Sequence, residues 1–176
     1  MAMDAHGRFL ALRIDTVADI GAYCSEMGAW VSFAGAKLAT GCYDIPVFFT
    51  RVRGVYTNTM SVDAYRGAGR PESAYLIERL VDACAREAGI DPIDIRRLNF
   101  VKPGQMPYRT PSGWNYDSGD FAGHLDRALE LADRAGFEAR AAAAEREGKL
   151  LGFGVAAHVD ACAPPGAETA TVRLDE

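Results

Sequence analysis

Apolar and polar residues alternate along the first third of the chain, as they do in half-buried strands. From Phe9 to Ile14 apolar side chains occupy every second position, which predicts a strand. The next motif, DIGAY at Asp19–Tyr23, predicts a bend with a glycine bulge. A short helix is expected over Ala29–Ala39. Ile45–Asn58 is rich in β-branched and aromatic residues and predicts one or two further strands.

A 3.6-residue periodicity predicts the longest helix, Pro71–Ala88. Pro71 suits the first helical position, and Gly89 is expected to end the helix. The residues expected on its buried face are Leu76, Ile77, Leu80, Val81, Cys84 and Ala88.

Shorter helices are expected further along, at Ile93–Leu98, Phe121–Ala135 and Phe137–Glu147. Asp91 is a candidate cap for the first of these helices and Ser118 for the second, because both side chains can accept a hydrogen bond from a free helical amide. Gly136 is expected to separate the second helix from the third.

The remaining segments predict loops and strands. Lys102–Asp120 contains several prolines and glycines and is expected to be irregular. Leu150–Ala161 and Ala170–Leu174 return to a strand pattern, joined by a proline turn at 164–166. The sum is an α+β fold, with strands at about 8–58 and 149–175 and helices at about 71–147 between them. An unpaired strand at each end favours a piece of a longer polypeptide.

Composition and charge narrow the class of protein. Of the 176 residues 49% are hydrophobic and 24% are charged, which is typical of a globular domain. The net charge of -5 disfavours a free-standing nucleic-acid binder, which would usually be basic. No apolar run approaches the roughly 18 residues of a membrane span. The first residues do not resemble a secretion signal, so we expect a cytoplasmic protein.

The cysteines and histidines show no spacing typical of a metal site. The four cysteines are far apart and form no C-x-x-C pair, which disfavours both a zinc site and a disulfide framework. We expect ordinary and mostly buried thiols at Cys24, Cys42, Cys84 and Cys162.

The stretch DAYRGAGRPES, Asp63–Ser73, is the strongest candidate for a functional site. It lies directly before the longest predicted helix, whose first N–H groups lack internal partners and whose dipole favours an anion. Its glycines permit close backbone approach, and consecutive N–H groups in such a loop bind anions. Arg66 and Arg70 can add charge-assisted hydrogen bonds. The pattern predicts a phosphate or anionic-cofactor site, and the alternative is a tight turn with two surface arginines.

Several motifs together resemble one enzyme family. AYRGAGRPES, DIGAY, CYDIP and RRLNF are arranged as in the large, molybdenum-binding subunit of the xanthine dehydrogenase, aldehyde oxidase and aerobic carbon monoxide dehydrogenase family. The resemblance covers about Arg8 to Glu176, and Ala-Tyr-Arg-Gly is its most specific part. It implies that residues 1–176 are an internal fragment of a larger molybdopterin-binding domain.

The resemblance also implies cofactors and partners. The family binds molybdenum through the sulfurs of a pyranopterin, commonly a cytosine dinucleotide in bacteria, so no metal ligands are expected among these side chains. Electrons leave through iron–sulfur clusters to FAD on partner subunits, and the assembled complex dimerises. The implied reaction is oxidative hydroxylation of a small aldehyde or N-heterocycle. The residues that match the cofactor loop are Tyr65, Arg66, Gly67, Ala68, Gly69 and Arg70.

Departures from the family pattern narrow this function. Carbon monoxide dehydrogenases proper place a copper-binding cysteine where this chain has Gly67, and copper(I) needs a soft thiolate, so oxidation of carbon monoxide is not expected. Purine and aldehyde hydroxylases often carry Phe at the position of Ala68, so purine specificity is not supported. The family's glutamate base lies outside the matched stretch. We therefore expect no catalytic residue in this fragment and no activity of the fragment alone.

A rival hypothesis requires no enzyme. The Arg66–Arg70 loop also suits a non-catalytic domain that binds a nucleotide or phosphate, or that docks a partner. Arg51 and Arg53, on a predicted strand, are further candidates for contacts with cofactor phosphates.

Overall fold

The computed structural model describes residues 1–160 and 169–174. Short 3-10 helices occur at Gly35–Leu38, Pro103–Gln105 and Arg134–Gly136. The strands and α-helices, in chain order, are β1 (Ala2–Met3), β2 (Phe9–Gly21), α1 (Gly28–Ala34), β3 (Val47–Tyr56), α2 (Arg70–Ala88), α3 (Pro92–Asn99), β4 (Tyr108–Arg109), β5 (Asn115–Tyr116), α4 (Phe121–Leu131) and α5 (Phe137–Arg146).

Strands β2 and β3 form a parallel ribbon that is longer than predicted. Pairing runs from Ala11 opposite Val47 to Gly21 opposite Tyr56, so β2 continues into the segment that was expected to bend. The register shifts at Gly21, which confirms the predicted glycine bulge. A side chain there would lie 2.4 Å from the Met60 carbonyl oxygen, so the close approach of the two backbones requires glycine. Strand β1 pairs antiparallel with the start of β2.

Helix α2 begins and ends close to the predicted positions. Pro71 lies in its first turn, and Gly89 follows its last residue in the left-handed conformation, with φ of 65°. Leu76 and Ala88 were expected inside but are exposed, whereas Glu78 is buried and pairs with Arg96. The buried residues of the helix are Ser73, Ile77, Glu78, Val81, Cys84 and Ala85.

The core lies between α2, α3 and the start of β2. The rings of Tyr43 and Phe100 stack with centroids 5.4 Å apart, and Phe9 approaches Tyr43 edge-on at 5.7 Å. Asp91 caps α3 as predicted, since its carboxylate accepts the Ile93 amide at 2.7 Å. These contacts hold the helices against the end of the sheet at which β2 and β3 begin.

The segment between α3 and α4, which was expected to be irregular, contains a small hairpin of β4 and β5. Asp120 caps α4, and the predicted cap at Ser118 is wrong. Asp120 directly precedes the first helical residue, where its carboxylate accepts the Gly123 amide at 2.9 Å. Helix α4 ends at Leu131, earlier than predicted, because Asp133 adopts a left-handed φ of 46° that interrupts the helix.

The strands predicted in the last part of the chain are not formed within the described residues. Residues 150–160 and 169–174 form no strand ladder there, although the predicted alternation is present in the first segment. Val155, Ala157 and Val159 pack against the core while the side chains between them are exposed. The segment lies along α2, where the Ala157 amide donates to the Glu78 carboxylate instead of to a strand carbonyl. Ala161 and the predicted turn at 164–166 lie outside the described residues.

The predicted α+β class is confirmed, with the main strands in the first third of the chain and the long helices after them. Among the residues that the structure describes, no helix is long and apolar enough to cross a membrane.

Candidate functional site

The predicted cofactor loop, Asp63–Arg70, connects β3 to α2 through two tight turns. The Ala68 amide donates to the Tyr65 carbonyl at 2.9 Å, and the Arg70 amide donates to the Gly67 carbonyl at 2.8 Å. Gly67 and Gly69 both have a φ of 87°, which other residues rarely adopt. The glycines are therefore required by the path of the backbone.

Three consecutive amides in the first half of the loop remain free. Within residues 1–160 and 169–174, the N–H groups of Tyr65, Arg66 and Gly67 have no hydrogen-bond partner. The Arg66 side chain is exposed and forms no ion pair with these residues. A carbon atom added at Gly67 would approach nothing closer than Pro71 at 3.8 Å, so the adjacent space is open. Free amides beside a guanidinium suit the oxygen atoms of an anionic ligand.

The second half of the loop forms hydrogen bonds and an ion pair within the chain itself. The Gly69 amide donates to the Glu72 carboxylate at 2.8 Å, because a glutamate three residues after the cap can reach back to it. The Nε of Arg70, a residue predicted to bind an anionic ligand, lies 2.9 Å from the Asp160 carboxylate. Thus the six predicted residues divide into a half with free donors and a half that maintains the turns.

A cavity of about 430 Å³ adjoins the loop at Asp63 and Gly69. It is enclosed by one face of β2 and β3, by α1 with its 3-10 extension, and by the first turns of α2. Its lining is largely apolar, with the carboxyl-bearing residues Asp19, Asp63 and Glu72 among the residues of the wall. The loop therefore borders a hollow rather than being packed against other backbone on every side.

Arg51 and Arg53 lie on the side of the sheet that faces away from this cavity. They alternate with Thr50 and Val52, which line the cavity, and successive strand residues point to opposite faces. Arg51 pairs with Asp15 across the ribbon at 2.6 Å. The structure thus does not bring these two arginines together with the loop.

A buried ion pair, which the sequence analysis did not identify, lies beside the core aromatics. Arg96 is completely buried, and its guanidinium donates to Glu78 at 2.9 Å and to Asp82 at 2.9 Å. The Tyr43 hydroxyl donates to the other Glu78 oxygen at 2.5 Å, and the Ala157 amide donates to Glu78 at 2.9 Å. We call Tyr43, Glu78 and Arg96 the core junction. Its sequence signal was a glutamate within the apolar stripe of α2.

Burial controls the protonation of the groups around the core junction. It raises the pKa of the Tyr43 hydroxyl far above its usual range, and the charge of Glu78 adds to the effect, so Tyr43 remains a donor. Burial also raises the pKa of the Cys42 thiol to about 12. Cys42 and Cys84 are buried as expected, Cys24 is exposed, and Cys162 lies outside the described residues.

The histidines and acidic residues do not form a metal site in the described part of the chain. Within it, no group of three His, Cys, Asp or Glu side chains is arranged to hold a metal ion.

Residues 1–100 match the family model of the molybdopterin cofactor-binding domain. The carbon monoxide dehydrogenase large chain of Afipia carboxidovorans is 38% identical over 134 residues, which cover 74% of this chain and 16% of that protein. The nicotine 6-hydroxylase large subunit of Paenarthrobacter nicotinovorans is 31% identical over 191 residues, covering 99% of this chain and 23% of that protein.

A solved structure shows the same fold. The quinoline 2-oxidoreductase of Pseudomonas putida 86 superposes with a TM-score of 0.73 at 32% identity, over 84% of this chain and 19% of that one. The chain thus spans between 16% and 23% of the length of these three proteins.

Proposed function

The chain belongs to the molybdopterin cofactor-binding domain family, and from this premise we propose that it forms part of the large subunit of a molybdenum hydroxylase. The free amides of Tyr65, Arg66 and Gly67 are the single observation that carries the proposal. They lie in the loop whose sequence most resembles the family. The chain's share of its relatives' length supports the assignment of residues 1–176 to a larger cofactor-binding domain.

The loop fits an anionic cofactor on its own geometry. The open backbone amides and the exposed Arg66 guanidinium can donate hydrogen bonds to negatively charged oxygens, and the open space at Gly67 lets a ligand approach the main chain. When bound, the molybdenum cofactor supplies the two-electron redox chemistry. The chain's contribution is to bind and orient it through Tyr65–Gly67, while Ala68–Arg70 hold the turns that present these donors.

The substrate class that we propose is a small aldehyde or an N-heterocycle. Relatives named for nicotine and quinoline act on N-heterocycles, which favours the second of these classes. The relative named for carbon monoxide is more similar in sequence, at 38% identity, but Gly67 supplies no thiolate for a copper ion at the position after the loop arginine. A copper-dependent carbon monoxide oxidation assay tests this point, and robust activity would contradict it.

The proposed enzyme is a cytoplasmic complex. Electrons removed from the substrate pass to iron–sulfur clusters and FAD on partner subunits, and the assembled complex dimerises. The cofactor is proposed to be the cytosine dinucleotide form. The general base comes from another part of the large subunit, so the 176-residue chain alone is expected to show no turnover.

Molybdenum analysis of the assembled complex tests the proposal. We expect about one molybdenum per large subunit, together with cytidine monophosphate released on acid hydrolysis. The variant Arg66→Ala should lose molybdenum or turnover strongly, because it removes a charged donor beside the open amides. Arg79→Ala is the matched control, since Arg79 is exposed on α2 and has no ion-pair partner among the described residues.

The rival function is a non-catalytic domain that binds a nucleotide or phosphate, or docks a partner, through the same loop. Absence of molybdenum from a complex produced with cofactor available would favour it. Unchanged molybdenum and turnover in Arg66→Ala would instead remove Arg66 from the site while leaving the enzyme assignment in place.

A further inference from the structure

The short helix α1 contacts both ends of the loop. Just before the helix, the Ser25 hydroxyl donates to the Val62 carbonyl at 2.8 Å. A side-chain carbon at Gly28, the first helical residue, would lie 2.7 Å from the same carbonyl oxygen. At the other end of the helix, a side-chain carbon at Gly35 would lie 2.6 Å from the carbonyl oxygen of Gly69.

The contact between Gly35 and Gly69 brings two backbones together without side chains between them. A carbon added at Gly69 would lie 2.4 Å from the Gly35 nitrogen and 2.7 Å from the Ala34 Cβ. The Ser73 hydroxyl donates to the Gly35 carbonyl at 2.6 Å, so α2 is hydrogen-bonded to the same residue. These distances leave no room for even one methyl group.

Gly35 is not required by its own backbone conformation. Its φ of -65° and ψ of -29° are helical, a conformation in which alanine is favoured over glycine when nothing is close. Glycine at position 35 therefore serves the close contact with the Gly69 backbone, which any side chain would prevent. At the opposite end of α1, Gly28 likewise lies too close to the Val62 carbonyl oxygen to carry a side chain.

We propose that Gly35 is a positioning residue for the bound cofactor, acting through Gly69. This inference rests on the proposed function. The free amides of Tyr65, Arg66 and Gly67 lie between Val62 and Gly69, and α1 fixes both of these points. A methyl group at Gly35 pushes the Gly69 carbonyl away and moves the three donors relative to the group they bind.

The test is Gly35→Ala in the assembled complex, with turnover expressed per molybdenum atom. A displacement near 1 Å can lower a rate by about a hundredfold, so we expect kcat per molybdenum to fall roughly tenfold to a hundredfold. We also expect an altered electron paramagnetic resonance signal of the reduced molybdenum centre. Gly104→Ala is the matched control, because a carbon at Gly104 meets nothing within 4 Å.

If Gly35 has a purely structural role, Gly35→Ala lowers the yield or thermal stability but leaves kcat per molybdenum and the electron paramagnetic resonance signal at wild-type values. That result would overturn the inference. If Gly35→Ala does not assemble, Ser73→Ala decides, because it removes the hydrogen bond to Gly35 without adding atoms. A severalfold loss of kcat per molybdenum supports positioning, and unchanged kcat and signal contradict it. A wild-type complex without molybdenum would refute the proposed function instead.

Discussion

Arg96 and Arg66 show how one side-chain type serves two purposes in this chain. Arg96, in the core junction, is completely buried and donates to Glu78, to Asp82 and to a backbone carbonyl. Arg66, in the loop, is exposed, and within the described residues it has no ion-pair partner. The amide of Arg66 and those on either side of it are equally free there.

The difference follows from the free energy of desolvation. A buried charge is tolerated only when it is paired and hydrogen-bonded, so the polar groups of the core junction bind one another. An exposed loop has no such requirement, because water satisfies its donors until a ligand replaces the water. The comparison indicates that the core junction maintains the fold, whereas the first half of the loop is available for binding.

Removing the carboxylate of the core junction should have the largest effect on stability. Glu78→Ala leaves Arg96 buried without its main partner, which is expected to cost about 3–5 kcal/mol in the free energy of unfolding. Arg66→Ala should change this free energy by less than about 0.5 kcal/mol, because the side chain is exposed. Urea denaturation of the 176-residue chain, followed by circular dichroism, measures both. Equal losses in the two variants would contradict the division of roles.

A smaller loss is expected from the hydroxyl of the core junction. Tyr43→Phe removes a hydrogen bond to a charged carboxylate, an interaction worth about 1.5–3 kcal/mol. Tyr75→Phe is the matched control, because Tyr75 is 71% exposed on α2. The same denaturation measurement applies, and a Tyr43→Phe variant as stable as its control would show that the hydroxyl contributes nothing to the fold.

The sequence predicted those features that depend on local chemistry. The ends of α2 and the Asp91 cap each follow from a preference of one residue or its neighbours. The motif that is most specific for the family also contains Gly67, and the backbone path of the loop requires glycine at Gly67 and Gly69.

The features that the sequence did not predict depend on distant partners. Pairing with β3 extends β2 through Gly21, whereas the segment near Ala157 lies against a helix and forms no ladder among the described residues. Glu78 is buried only because Arg96 comes from another helix, and nothing near Arg70 in the sequence indicates its pairing with Asp160. The division of the loop into free and occupied halves therefore depends on contacts that the sequence pattern does not contain.

Hydrogen–deuterium exchange tests most directly whether the free amides bind the cofactor. It would compare the assembled complex containing the molybdenum cofactor with the same complex produced without it, and would follow peptides covering 62–68 and 77–85. We expect the amides of Tyr65, Arg66 and Gly67 to exchange markedly more slowly when the cofactor is bound, while the α2 peptide is unchanged. Equal exchange at these three amides in a complex that contains molybdenum would contradict it.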